Sequence, residues 1–552
     1  MSESIYDLAR EAELLKSNLK HQQEAASPLD CSWTTRQRLE DIYRQMLLTD
    51  LSFSLENRIE VDLWNCVFRT QINYLQTNIT HQQGTQREET LSSLYICLES
   101  TCCFYHQLLQ SICYKYNTSL PSYLTPEQIG VCRRSVSTVT AGEDNIRIIG
   151  QDCLLRLGDL ARYRGECNLA TKYYKQAYDL LPGKSIISNQ LGLIASSQGN
   201  FYKAAFHYSH SIISHIPFSP SRNNLEQIFE THTRQFPDEI SDLLSFQTGF
   251  LYLLSLLYFS KDLAFLSFLL PKLMTALSSF LQKGEAKHEF ILCTVGLCLF
   301  ACVISYQPLT GLTLHQATEC LTAEEHQKCK LSLILLLETT LVLLSNSLST
   351  TSHMNTMLPF INATLHWLAT HIHHIPVDQL IQLPSLWQSL AKLLNRLSLK
   401  SGFETNIDVA QCLSEEISLI EFLSYKYTPT NLTKCSNEEL CLAKMISNIK
   451  SMTQNSQCSF LSLNTHDGTY KLVYTSPTAD QPVAIEHDIM TSPTLSPLFA
   501  SPLLNNSNDC SFFPSIWSDT PYQQTSPLLT TPTVSSIDTI QSLWNASDPA
   551  SS

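Results

Sequence analysis

Residues 151–183 read QDCLLRLGDLARYRGECNLATKYYKQAYDLLPG, and they decide the fold because the chain writes this pattern twice. Leu157, Gly158, Gly165, Ala170, Tyr174, Ala177 and Pro182 stand at the spacing of a tetratricopeptide repeat, a helical hairpin with a period of about 34 residues. One period later stand Leu191, Gly192, Gly199, Ala204, Tyr208 and Ser211, with the proline one residue late at Pro217. Small and apolar residues recurring in register at this period predict two stacked helix pairs.

The first helix of such a hairpin lines a concave groove, and its fifth, ninth, twelfth and thirteenth positions face inward. With Leu157 as seventh, these are Asp159, Arg162 and Tyr163, and in the next copy Asn189 is fifth. The set suits a phosphorylated side chain, which carries about −1.5 to −2 charges and three acceptor oxygens. An arginine offers two parallel donors, the tyrosine hydroxyl a third, and the amide can hold a peptide backbone. Arg162 can equally pair with Asp159 on its own helix. Spacing leaves both readings open.

Upstream, apolar residues recur three and four apart over 3–20 and 33–76, where Leu63, Trp64, Val67, Phe68, Ile72 and Leu75 form one core-facing stripe. Arg69 projects from the edge of that stripe, where an ordinary solvated helix charge is the plain reading. Residues 77–90 read as a loop, 91–116 as a helix and 117–146 as a long connection. Downstream, a helix is expected over about 221–235, then some eight more segments punctuated by Pro271, Gly284, Pro308, Pro359, Pro376, Pro384 and Gly402. After about Tyr474 the character changes. Residues 475–552 hold no Lys or Arg, seven acidic residues and many Ser/Thr-Pro pairs. Such a tail cannot bury enough apolar surface to order itself. Its short apolar islands at 512–517 and 542–544 are candidate docking motifs or merely tolerated residues.

The 552 residues carry 36 basic and 50 acidic side chains, a net charge of −14, which argues against a nucleic-acid footprint over the whole surface. Nineteen cysteines lie scattered without a CxxC, and the polar N-terminus lacks a basic start and apolar run, so a cytosolic or nuclear protein is expected. The apolar runs 243–260, 291–306 and 331–345 fall short of, or barely reach, the roughly 20 residues of a membrane span and read as buried helices. His366, His371, His373 and His374 cluster without further ligands at zinc spacing. With no phosphate-binding glycine loop, GxSxG or HExxH, neither a cofactor nor enzymatic activity is expected.

Three groups of segments carry a resemblance. They are WTTRQRLEDIYRQMLLTDLSFSLENRIEVDLWNCVFRTQI (33–72), LGDLARYR (157–164), and the stretch from NQLGLIASSQGN to SIISHIPFSPSRNNL (189–225); weaker ones are LWQSLAKLLN (386–395) and SEEISLIEFL (414–423). Together they resemble the SMG adaptors of nonsense-mediated mRNA decay, a family shared with the "ever shorter telomeres" proteins of telomerase. The resemblance implies an all-α protein with a 14-3-3-like tetratricopeptide domain at 1–235, a helical-hairpin extension at 236–474 and a disordered tail at 475–552. It implies a non-enzymatic adaptor that binds phosphoserine on the pathway's RNA helicase and links it to deadenylation and decapping factors. A sibling SMG adaptor is the implied heterodimer partner, in the cytoplasm with nuclear shuttling, and no membrane is involved.

By resemblance, Arg69 and Arg162 fall on the family's phosphate-binding positions, Arg162 with Tyr163 is similar to the Arg-Tyr pair of 14-3-3 proteins, and Asn189 to their peptide-holding asparagine. The most similar type lacks a PIN nuclease domain, usually has Lys at the position of Arg69 and carries a longer proline-rich tail. A telomerase-associated nucleic-acid binder, with its basic surface after 218, and a generic tetratricopeptide scaffold are the alternatives.

Overall fold

The computed structural model describes residues 4–24, 29–116, 142–307, 321–349, 351–397, 399, 413–423 and 438–476. These fall in one compact unit of residues 1–475, apart from the last residue. The connection at 117–141 and the tail from 477 onward lie outside the described residues.

The architecture is all-α, built on the repeat. Helices α7 (Glu143–Tyr163) and α8 (Cys167–Leu180) form the first hairpin, α9 (Ser185–Ser197) and α10 (Phe201–Ile213) the second. The repeated glycine and tyrosine explain each other. A Cβ on Gly158 would lie 2.4 Å from the Tyr174 ring, and one on Gly192 would lie 2.5 Å from Tyr208. Only a bare α-carbon lets the paired helix bring a buried aromatic ring so close.

The turns repeat as well. Gly165 and Gly199 take φ of +78° and +73°, the left-handed region where a side chain is strained. Beyond them the Glu166 and Asn200 amides donate to the Ala161 and Ala195 carbonyls, both at 2.9 Å, closing the helix end in the same way. Helix α11 (Pro220–His232) follows, opened by its proline.

The N-terminal half corrects two expectations. Helices α1 (Ile5–Glu24) and α2 (Leu29–Thr49) pack together, but the stripe expected over 33–76 is interrupted. Asp50 accepts from the Phe53 amide and starts the short α3 (Leu51–Glu56); Arg58, at φ +55°, precedes the single turn α4 (Ile59–Asp62). A π-helical segment, Leu63–Arg69, then leads into α5 (Thr70–His81). Its extra residue per turn rotates the apolar stripe, which is why a 3.6-residue template still matched the residues on either side. The loop expected over 77–90 shrinks to Gln82 and Gln83, because α6 runs from Gly84 to Lys115, 32 residues.

Beyond α11 come α12 (Leu243–Phe259), α13 (Leu263–Gln282), α14 (His288–Tyr306), α15 (Ala323–Ser349), α16 (Thr351–His371), the single turn α17 (Val377–Leu380), α18 (Pro384–Leu397), the short α19 (Ser414–Ser418) and α20 (Glu438–Thr453). Pro271 and Pro359, expected as breaks, lie inside α13 and α16. Pro271 and the residue four before it, whose carbonyl loses its helical partner, both face solvent, where a missing backbone bond costs least.

A second surprise is a hairpin, β1 (Leu461–His466) with β2 (Thr469–Tyr474), antiparallel, with Leu461 opposite Tyr474. Asp467 and Gly468 turn it with φ of +51° and +73°, the geometry that an Asp-Gly pair favours. Asn395 of α18 ties it down, donating to the Leu472 carbonyl and accepting from its amide, both at 3.0 Å.

The helix lengths also revise the membrane reading. Helices α13, α14 and α15 are long and apolar enough to cross a membrane by length and composition, whereas α12 is shorter. In this fold 78% of the apolar window of α14 and 67% of that of α15 are buried in protein, but only 44% of that of α13. The apolar core divides into two clusters, one built by residues between Leu8 and Ile194, the other by residues between Ala195 and Leu472. They meet inside the second repeat.

Candidate phosphate-binding groove

Helix α7 carries four polar residues, at 156, 159, 162 and 163, on or beside its groove face. Asp159 has no exposed surface, and its Oδ1 accepts from the Tyr174 hydroxyl at 2.7 Å and from Gln190 Nε2 at 2.8 Å. Burial pushes its carboxyl up, against the pull of the Arg162 and Arg156 guanidiniums. Arg162 approaches the same Oδ1 only to 3.7 Å. That is an ion pair by charge, too long for a hydrogen bond. Its buried Nε and Nη2 find no hydrogen-bond partner among the described residues, and neither does Asp159 Oδ2.

The Arg162 guanidinium also lies 4.7 Å from the centre of the Tyr163 ring. Burial works against its charge, yet the oxygens of Tyr174, Tyr163 and Asp159 outweigh that and raise its pKa. Tyr163 is half-buried; burial pushes its hydroxyl up, and Arg162 and Arg69 both pull it back. Arg69 therefore shares one electrostatic neighbourhood with Arg162 and Tyr163, although 93 residues separate the two arginines in sequence. Arg69 closes the π-helical segment, and its Nη1 donates to Asn65 Oδ1 at 3.2 Å. The structure thus brings Arg69, Arg162 and Tyr163 together.

Asn189 is placed differently. It is 3% exposed, and its Oδ1 accepts from Ser221 Oγ at 2.9 Å and Asn224 Nδ2 at 3.0 Å, so these bonds fasten α11 to α9. Its link to the arginine cluster runs through its neighbour Gln190.

Sequence reasoning missed the brace behind the groove. Arg156 grips Glu60 of α4 with two bonds, Nε at 2.9 Å and Nη2 at 3.1 Å, and stacks 4.9 Å from the Trp64 ring centre. Burial disfavours the Glu60 charge, but Arg156 overcomes it and holds the carboxyl below its usual range. This buried fork ties the segment bearing Arg69 to the helix bearing Arg162. No local signal marks it, because the partners stand 96 positions apart.

Residues 58–168 match the family described as telomerase activating protein Est1, and residues 170–429 the one described as Est1 DNA/RNA binding domain. The nonsense-mediated mRNA decay factor SMG7 of Danio rerio is 30% identical over 430 residues, 76% of this chain and 36% of that protein. Human nonsense-mediated mRNA decay factor SMG5 is 26% identical over 42% of this chain and 23% of its own, and telomerase-binding protein EST1A of Danio rerio 26% over 41% and 15%. The chain therefore spans about a third or less of the length of these curated relatives.

Among solved structures, that of the C. elegans SMG5-SMG7 complex matches with a TM-score of 0.51 at 15% identity, over 79% of this chain and 98% of that one. The crystal structure of Est1 and Cdc13 matches with a TM-score of 0.63 at 16% identity, over 84% and 99%. At such identities the likeness establishes the fold, a 14-3-3-like helical domain with a helical extension.

Proposed function

The chain belongs to the SMG and Est1 family, and from that premise we propose that it is a phosphoserine-binding adaptor of nonsense-mediated mRNA decay. One observation carries the reading. Arg162 sits beside a buried carboxylate without closing on it, because Tyr174 and Gln190 already occupy Asp159 Oδ1. A guanidinium on a side chain that keeps 18% of its surface exposed, next to a second arginine and a phenol, is arranged to receive an anion from outside.

A phosphorylated serine supplies the oxygens that Asp159 withholds. Arg162 and Arg69 donate charge-assisted bonds to them and the Tyr163 hydroxyl adds one more. Asn189, its carbonyl engaged, keeps its amide donors for the peptide backbone. The ligand in this reading is the phosphorylated RNA helicase of the pathway. A sibling SMG adaptor binds the same N-terminal module, residues 1–235, while the extension at 236–474 and the tail link the helicase to deadenylation and decapping factors. The protein acts by binding, not by catalysis, in the cytoplasm with passage through the nucleus.

Titration with a phosphoserine peptide of the helicase and its unphosphorylated twin tests the reading. The wild type should bind only the phosphorylated form. Arg69→Glu with Arg162→Glu removes two charge-assisted contacts of about 1.5–3 kcal/mol each and should weaken binding by at least about 100-fold with an unchanged helical spectrum. Equal binding of the two peptides by the wild type refutes the proposal.

A further inference from the structure

Gln190 of α9 stands one repeat period after Arg156 of α7, and the two approach different oxygens of Asp159. Gln190 Nε2 donates to Oδ1 at 2.8 Å, whereas Arg156 Nη1 stays 3.9 Å from Oδ2 while its Nε and Nη2 grip Glu60. The Gln190 amide has one workable orientation, because turning it over would set its carbonyl oxygen against the carboxylate. In that orientation its Oε1 is buried and has no hydrogen-bond partner among the described residues. Gln190 itself has no exposed surface. A methionine or leucine would fill such a place without burying an unsatisfied carbonyl, so packing does not account for the glutamine.

The neighbouring charges do. Asp159 Oδ1 is held by two neutral donors, the Tyr174 hydroxyl of α8 and the Gln190 amide of α9. Its Oδ2 and the Nε and Nη2 of Arg162 are all buried without a partner, and the guanidinium stands 3.7 Å off. If the Gln190 donor is taken away, Oδ1 keeps only Tyr174. The nearest uncommitted donors are then those of Arg162, since Arg156 is engaged by Glu60. Opposite charges three residues apart on one helix close readily. A closed pair would be a charge-assisted bond that Arg162 has to give up before it meets a phosphate.

We propose that Gln190 is a positioning residue of the phosphate-binding groove. By holding Asp159 from the neighbouring repeat, it keeps Arg162 from closing on a carboxylate of its own helix. The consequence for affinity rests on the phosphoserine reading; the distance between Arg162 and Asp159 does not.

The test uses the full chain and two variants that remove the donor, Gln190→Met and Gln190→Leu. In a crystal structure of either, Arg162 should move to hydrogen-bond distance from Asp159, about 2.7–3.2 Å. Fluorescence anisotropy with a labelled phosphoserine peptide of the helicase should show affinity reduced at least about tenfold, the worth of one charge-assisted bond. The urea midpoint should stay the same or rise, whereas a merely structural residue would lose stability along with affinity. Asp159→Asn removes the charge that captures Arg162, so in that background Gln190→Met should change affinity by less than about twofold. The proposal is overturned if the wild type binds the phosphopeptide and both variants bind it equally well, or if the loss is as large in the Asp159→Asn background. It is also overturned if Arg162 remains near 3.7 Å from Asp159 in the variant structures. A wild type that ignores the phosphate refutes the phosphoserine reading instead, and the variant structures alone then decide whether Gln190 holds the pair apart.

Discussion

Two buried charge clusters of this molecule use similar residues to opposite ends. In the extension, Glu416 and Lys444 are almost wholly buried and meet at 2.5 Å. The remaining Glu416 capacity is taken by Asn362 Nδ2 and the Leu413 amide, both at 2.9 Å, and Asn448 in turn holds Asn362 at 3.0 Å. Both carboxylate oxygens are satisfied, and three elements, α16, α19 and α20, are fastened together. On α7, by contrast, Asp159 and Arg162 face each other at 3.7 Å with a carboxylate oxygen and two guanidinium nitrogens unbonded. A buried network that satisfies itself is a staple. One that leaves a carboxylate oxygen and two guanidinium nitrogens without partners is not closed on itself.

Removing one partner from each cluster should separate these roles. Lys444→Met leaves Glu416 buried without its counter-charge, which costs about 3–5 kcal/mol of stability and is measured by urea unfolding. The phosphoserine-peptide affinity of the molecules that remain folded should not change. Arg162→Met should give the reverse pattern, because Asp159 keeps Tyr174 and Gln190: a small loss in unfolding free energy and a large loss in phosphopeptide affinity. If Arg162→Met unfolds the protein as readily as Lys444→Met does, the α7 cluster is a staple too and the contrast collapses.

The geometry beneath the groove predicts an intermediate effect. Gly158→Ala drives a methyl group into the Tyr174 ring and Gly192→Ala into that of Tyr208, so each should cost about 1–3 kcal/mol. Tyr174 also holds Asp159. Gly158→Ala should therefore weaken phosphopeptide binding as well as lower the melting temperature, while Gly192→Ala should mainly lower the melting temperature. Parallel losses of affinity in both variants would show that the Tyr174 tether has no special part in presenting Arg162.

These same residues mark how far the sequence could be read. The repeat, its glycines and tyrosines, and the Arg162–Tyr163 pair are local, fixed by one helical hairpin and its period, so counting positions reached them. The Asp-Gly turn between β1 and β2 was equally local and was missed because twelve strand residues are a weak signal beside long helices. Arg69 needed the family resemblance. Its meeting with Arg162 depends on a π-helical segment that breaks the 3.6-residue count and on the Glu60–Arg156 brace between distant parts of the chain. Neither leaves a trace at short range. Asn189 lies on α9, the first helix of its hairpin, but counting could not show that Ser221 and Asn224 would take its carbonyl.

The smallest effect expected is one of pH, and it lies where the second repeat meets the extension. His210 is 3% exposed, bonded through Nδ1 to Ser188 Oγ at 3.1 Å and through Nε2 to Tyr178 Oη at 3.3 Å, and burial depresses its pKa to about 3. The folded protein then refuses a proton that the unfolded chain accepts near its ordinary pKa of about 6.5, so this residue removes stability as pH falls from about 6.5 toward 3. Close by, Phe422 packs on His210 at 5.3 Å, and its neighbour Glu421 has its carboxyl raised to about 7 by burial. Folded Glu421 keeps a proton that the unfolded chain releases above about 4.3, so it removes stability as pH rises from there to about 7. Between about 4.5 and 6.5 the two slopes oppose each other, and the wild type should be nearly indifferent to pH in so far as these groups decide. Glu421→Gln should unmask the histidine, with stability rising toward neutrality. His210→Gln should unmask the glutamate, with stability falling over the same window. Urea midpoints across pH 4.5–7 distinguish them, and parallel profiles for the two variants would mean that this junction does not titrate as its burial requires.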